Sequence, residues 1–156
     1  MKNSKTKRKD FIDISKLRAK KSGEVFTPPA LVDEMLDKMP AIEWRKKNNK
    51  ILDPCMGATC VFPIMVMFRM ASGLRTSIKD PHQRIKHILN ENLYMCEIDK
   101  EALDFGSSLI KHYANILSTF LMLDDSDETI GLIKSKYIEH YDVIIESFYE
   151  KIRMAS

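Results

Sequence analysis

The run Ile51-Leu52-Asp53-Pro54-Cys55-Met56-Gly57-Ala58 carries the strongest chemical signal in the sequence. It reads as a short buried strand that ends in an acid and turns through Pro and Gly into a helix. At the carboxyl end of such a strand a ligand can approach the backbone, because Gly57 has no side chain in the way. Asp53 can accept hydrogen bonds from an ammonium or amide donor. A plainer reading, a strand-to-helix turn capped by Asp53, fits the same residues. Glu97 is the second signal. It ends the next candidate strand and, in a parallel sheet, faces the same crevice, where a carboxylate can accept both hydroxyls of a ribose. Ile98, just after it, offers an apolar surface to a nucleoside base. Read singly, Glu97 is equally a strand-end carboxylate in water.

The elements that must position these residues follow from periodicity. Gly23–Pro29 is a stiff loop, since two prolines continue neither a strand nor a helix interior. Leu31, Met35, Leu36 and Met39 recur at helical spacing, with Pro40 as the stop. Lys50–Asp53 is a first strand. Val61–Ser72 is a buried helix with Pro63 in its first turn and Gly73 at its end. The polar stretch 74–91 reads as an insertion with one helix at about 81–91. Leu93–Glu97 is a second strand, and Asp99 is an N-cap. Leu103, Gly106, Leu109, Ile110 and Tyr113 then line one helical face. Asn115–Leu123 is a third strand candidate, Asp124–Glu128 an acidic turn, Ile130–Glu139 a helix and Tyr141–Ile145 a fourth strand. Alternation of apolar strands with helices predicts an α/β fold with a four-stranded parallel sheet.

Charge is distributed unevenly over the 156 residues, whose net charge is +3. Residues 1–21 hold nine basic and two acidic residues, a charge of +7, so the remainder carries −4. The expected organisation is a basic, flexible arm (1–22) on one domain (23–156). Such an arm suits a polyanion such as DNA, bound weakly, although a solvated terminus has the same composition. Cys55, Cys60 and Cys96 form no CxxC pair and share no ligand spacing with the four histidines. No disulfide framework and no metal site is expected, and a reduced, cytoplasmic location fits. The most apolar run, Cys60–Phe68, is too short to span a bilayer, and the basic N-terminus, with no apolar stretch behind it, is not expected to act as a secretory signal.

Taken in order, Gly23-Glu24-Val25-Phe26-Thr27-Pro28, Asp53-Pro54-Cys55-Met56-Gly57, Tyr94-Met95-Cys96-Glu97-Ile98-Asp99 and Tyr141-Asp142-Val143-Ile144-Ile145 resemble one family. They are similar to the S-adenosylmethionine-dependent, adenine-specific DNA methyltransferases of restriction-modification systems and phages. The resemblance covers about residues 22–146. It implies a Rossmann-like, doubly wound methyltransferase sheet, S-adenosylmethionine as cofactor, and transfer of its methyl group to the N6 amine of adenine in DNA. By the same resemblance Phe26 and Thr27 line the methionine end of the cofactor, and Asp53, Pro54 and Gly57 sit beside its amino-acid moiety. Glu97 binds the ribose, Ile98 packs on the adenine, and Asp124 is the best match for an acid near the adenine.

Three departures accompany the resemblance. The family has a second glycine two residues after the first, where this sequence has Thr59. The acid after the third strand has no clean match beyond Asp124. The fourth strand is followed in the family by Asn/Asp/Ser-Pro-Pro-aromatic, and here by Glu146-Ser147-Phe148-Tyr149-Glu150. Methylating an exocyclic amine requires an extruded base held by such a motif. No catalytic residue is therefore assigned, and a truncated, inactive form is expected. The alternative is a cofactor- or partner-binding module of a split enzyme, with a second chain covering an open sheet edge. A nicotinamide-dependent oxidoreductase fits less well, because the turn lacks Gly-x-Gly-x-x-Gly.

Overall fold

The computed structural model describes residues 24–155, so the basic arm expected at 1–22 lies outside the described residues. The chain is α/β and mostly helical. The described residues form six α-helices and a two-stranded parallel sheet. Helix α1 (Pro29–Leu36) starts with Pro29 at its first position, where a missing N–H costs nothing. A 3₁₀ turn (Ala41–Arg45) leads to β1 (Ile51–Asp53) and α2 (Val61–Gly73). Helix α3 (Pro81–His87) continues through a π turn (Ile88–Asn92) into β2 (Leu93–Met95). Three helices follow: α4 (Lys100–Leu123), α5 (Asp127–Glu139) and α6 (Tyr141–Ala155).

Helix α2 is the centre of the molecule. Ile64, Met65, Met67, Met70 and Ala71 are fully buried, and only one flank of the helix reaches solvent. A helix that is apolar on nearly every side must be enclosed. Here α1, α3, α4 and α5 pack around it. The Asp99 cap lies where the sequence places it, and two further caps form at Asp80 and Ser126. Asp99 Oδ1 accepts from the Ala102 amide at 2.9 Å, and Asp80 Oδ1 from the Gln83 amide at 2.7 Å. Ser126 Oγ accepts from the Thr129 amide, with Asp127 and Glu128 placed favourably in the first turn of α5.

The first two expected strands form, in the register Ile51↔Leu93, Leu52↔Tyr94 and Asp53↔Met95. The other two do not, which corrects the four-stranded sheet. Asn115–Leu123 is the second half of α4, where Tyr113, Ala114, Leu117, Ser118 and Leu121 continue a buried helical stripe begun by Ala102, Gly106 and Ile110. Tyr141–Ile145 is the first turn of α6, with Tyr141, Ile144 and Phe148 on its buried side. The open edge expected of a fourth strand is therefore absent from that segment. Instead the outer face of β1–β2 is uncovered, with Leu52 61% and Tyr94 41% exposed. No helix among the described residues is long and apolar enough to cross a membrane.

Candidate functional site

The turn after β1 is built around two residues in the left-handed region, Gly57 (φ 65°) and Cys60 (φ 50°). For an L-residue that region costs about 1–2 kcal/mol. At Gly57 the missing side chain avoids this cost and leaves open space, because a Cβ there would meet no atom within 4 Å. At Cys60 the strain is held by complete burial under α2. Helix α4 closes on the back of the turn through Gly106. A Cβ at Gly106 would stand 2.8 Å from the Gly57 carbonyl oxygen.

Two carboxylates stand at the carboxyl ends of β1 and β2 and do different work. Glu97 fastens the turn to β2. Its Oε2 accepts from the Gly57 amide at 3.0 Å and its Oε1 from the Asp99 amide at 2.9 Å. Both oxygens keep further lone-pair sites. Asp53 is less satisfied. Its Oδ1 accepts from the Cys55 amide at 3.0 Å, while its Oδ2 is buried and has no hydrogen-bond partner. Burial pushes the Asp53 pKa up. The Cys55 amide offsets part of this, and the charge of Glu97 adds to the rise.

Asp53, Gly57, Phe26 and Thr27 line one cleft of about 250 Å³, with Glu24, Cys55 and Thr59 also on its walls. Among the described residues no basic side chain lines it. The loop bearing Phe26 and Thr27 is held by α6. Tyr141 Oη donates to the Thr27 carbonyl at 2.8 Å and lies 3.2 Å from Thr59 Oγ1. Since the tyrosine proton goes to Thr27, the Thr59 hydroxyl donates to Tyr141. The Tyr149 ring meets Phe26 edge-on at 5.6 Å, and its hydroxyl donates to Glu24. Thr59 is thus a buried link between the turn and α6.

The structure therefore brings together Phe26, Thr27, Asp53 and Gly57, with Glu97 joined to them through the Gly57 amide. It does not bring Pro54, Ile98 or Asp124 into the cleft. Pro54 lies on an adjoining apolar groove beside β1 with Leu36 and Ile51, and Asp53 and Phe62 line both. Ile98 is fully exposed just past β2. Asp124 follows α4, and 24 helical residues place it about 36 Å from the Glu97 end of that helix. Its carboxylate accepts from Ser126 Oγ and Thr129 Oγ1, as a turn residue before α5. A strand ending at Leu123 would have returned Asp124 to the sheet edge; a helix carries it away. Glu24, Thr59, Tyr141 and Tyr149 are cleft and support residues to which the sequence assigns no site role. The spacing of Tyr141, Ile144 and Phe148 is the available signal for the last helix.

Among the described residues no group of His, Cys, Asp and Glu could hold a metal ion. No protein-family model matches the chain, and no curated protein or solved structure is significantly similar to it.

Proposed function

We propose that this chain is the cofactor-binding part of an S-adenosylmethionine-dependent DNA adenine methyltransferase, a much-reduced form of the doubly wound methyltransferase fold, and that it transfers no methyl group by itself. The observation that carries the first half is Asp53: a cleft residue with one buried carboxylate oxygen, Oδ2, that has no hydrogen-bond partner among the described residues, on a cleft that no described basic side chain lines. A ligand that brings its own cation to the cleft face of Asp53 offsets the charge that burial and Glu97 penalise. S-adenosylmethionine carries an ammonium and a sulfonium, and Gly57 leaves room for it at the turn. At about 250 Å³ the cleft falls below the about 300–1,000 Å³ usual for a whole drug-sized ligand. It suits the amino-acid end, with the ribose at Glu97 and the base against exposed Ile98.

The second half rests on α6. Ser147 Oγ donates to the Val143 carbonyl within the helix. Phe148 and Tyr149, the aromatics that would stack on an extruded adenine, are 0% and 2% exposed. Burial removes both from any base. One feature favours the second reading, a module completed by a partner chain: the apolar groove along β1, open beside exposed Leu52.

Calorimetric titration with S-adenosylmethionine tests the proposal. Binding is expected to weaken about 10- to 100-fold in the Asp53→Asn variant, the range for losing a hydrogen bond to a charged group. The sulfonium-free demethylated product is expected to bind less tightly than the cofactor. Absence of binding to folded wild-type protein, or equal affinity in Asp53→Asn, overturns the reading.

A further inference from the structure

The cleft occupies the carboxyl end of the strands; the opposite end is basic. The loop that feeds β1 reads Arg45-Lys46-Lys47-Asn48-Asn49-Lys50, and the π turn that feeds β2 follows α3. Both therefore enter the sheet from the same end. The loop is fixed in place by side chains of the second element. His87 Nε2 lies 2.9 Å from the Lys47 carbonyl oxygen, and the buried Asn92 amide donates to the carbonyls of Lys47 and Asn49 at 2.8 and 2.7 Å. Between loop and helix runs a groove of about 330 Å³, lined by Lys47, Gln83, Lys86, His87, Asn90 and Glu91, with Ile78 as its one apolar residue.

The charge at this end is free to act on a ligand. Arg45, Lys47, Lys79 and Lys86 are exposed and form no ion pair among the described residues; Lys50 bonds only to the Tyr94 hydroxyl. The nearby acids are largely engaged. Glu43 pairs with Lys46, and Asp80 caps α3. Glu91 also lines the groove, so one acid there stands against Lys47 and Lys86.

We propose that this groove binds the phosphate backbone of a nucleic acid. Lysines from two rigidly joined elements give a fixed pair of cations, and neighbouring amides, Gln83 and Asn90, can donate to phosphate oxygens or reach base edges. A protein partner would require an apolar or aromatic anchor at the centre of the contact, and a lipid surface would require exposed apolar side chains to insert. The groove has neither, since Ile78 is half-buried. The inference stands apart from the cofactor reading, because it uses none of the cleft residues. It also differs from binding through the arm at 1–21, since it places the contact on the folded body.

Fluorescence anisotropy of the full chain with a labelled 20-base-pair duplex, over a range of salt, tests it. The Lys47→Glu/Lys86→Glu variant alters only exposed side chains, and circular dichroism checks its fold. Its affinity is expected to fall at least about tenfold at low salt. The slope of log K against log salt is expected to shrink by about two, close to 0.9 for each phosphate no longer neutralised. Lys7→Glu/Lys9→Glu measures the arm's share in the same assay. Unchanged affinity and slope in the groove variant overturn the proposal. So does absence of DNA binding by the wild type, or binding to phosphatidylserine vesicles in its place. Cofactor titration of the groove variant is expected to match wild type, so failure here is distinguishable from failure of the cofactor reading.

Discussion

Asp53 and Asp125 are partly buried aspartates in one small molecule, and they are treated in opposite ways. Asp125 sits in the turn between α4 and α5 and is surrounded by cations. Its Oδ1 accepts from Arg84 Nη1 at 3.0 Å and Arg75 Nε at 3.2 Å, and its Oδ2 from Arg84 Nη2. Burial alone would raise its pKa, but hydrogen bonds from Arg84 and then Arg75 outweigh burial and hold it below the ordinary value. Asp53 has one amide donor, a like charge nearby and an unmet oxygen, and its pKa lies above the ordinary value. A carboxylate whose partners are all within the chain is part of the framework. One left short of partners at a cleft is stabilised only by something from outside.

The largest expected effect is on the framework side. Arg84 is 0% exposed and spends its remaining donors on the carbonyls of Ala71, Ile78 and Lys79. Asp125→Ala leaves that guanidinium buried without a counter-charge, and is expected to cost about 3–5 kcal/mol in urea unfolding, the range for a broken buried pair. A loss below about 1 kcal/mol would erase the distinction drawn between the two aspartates. Asp53→Asn is expected to act with the opposite sign. It removes a charge that burial penalises and keeps the acceptor for the Cys55 amide, so the ligand-free protein is expected to gain about 1 kcal/mol. Destabilisation on the same assay would mean that Asp53 is structural and that the cleft reading is misplaced.

The half of the fold that positions Asp53, Gly57 and Glu97 was legible because its signals are local. A three-residue strand, a Pro/Gly turn and an Asp cap each act within a few residues. The failures came where apolar residues cover more than the buried face. On α4, Phe120, Met122 and Leu123 are exposed, which fills in the gaps of the helical pattern and makes 115–123 read as a continuous strand. On α6, exposed Val143 does the same for Tyr141–Ile145, and the resemblance to a strand motif reinforced the error. Both segments show helical spacing once the window is widened, Leu117 and Leu121 in the first and Tyr141, Ile144 and Phe148 in the second. The Thr27–Tyr141–Thr59 link was out of reach for a different reason: it joins positions 82 residues or more apart, and no local pattern encodes that.

The smallest effect, and the most discriminating, is the pH dependence of stability. Asp125 has a folded pKa below the ordinary aspartate value of 3.8. Its contribution is present above the unfolded value and is lost as pH falls through the folded one. Asp53 has a folded pKa above 3.8, so its contribution is present below the unfolded value and is lost as pH rises through the folded one. The two stability curves, each compared with wild type, must therefore diverge. The advantage of Asp53→Asn over wild type is expected to grow as pH rises from below 3.8 toward neutrality. The deficit of Asp125→Ala is expected to narrow as pH falls below 3.8. Urea unfolding of the three proteins in low-salt buffers across that window measures both. Saturating S-adenosylmethionine supplies the final contrast. A bound cation lowers the Asp53 pKa, so the ligand is expected to flatten the pH-dependent gap between wild type and Asp53→Asn and to leave the Asp125 curve unchanged. A gap that the ligand does not alter would mean that whatever the cleft holds, its charge does not reach Asp53.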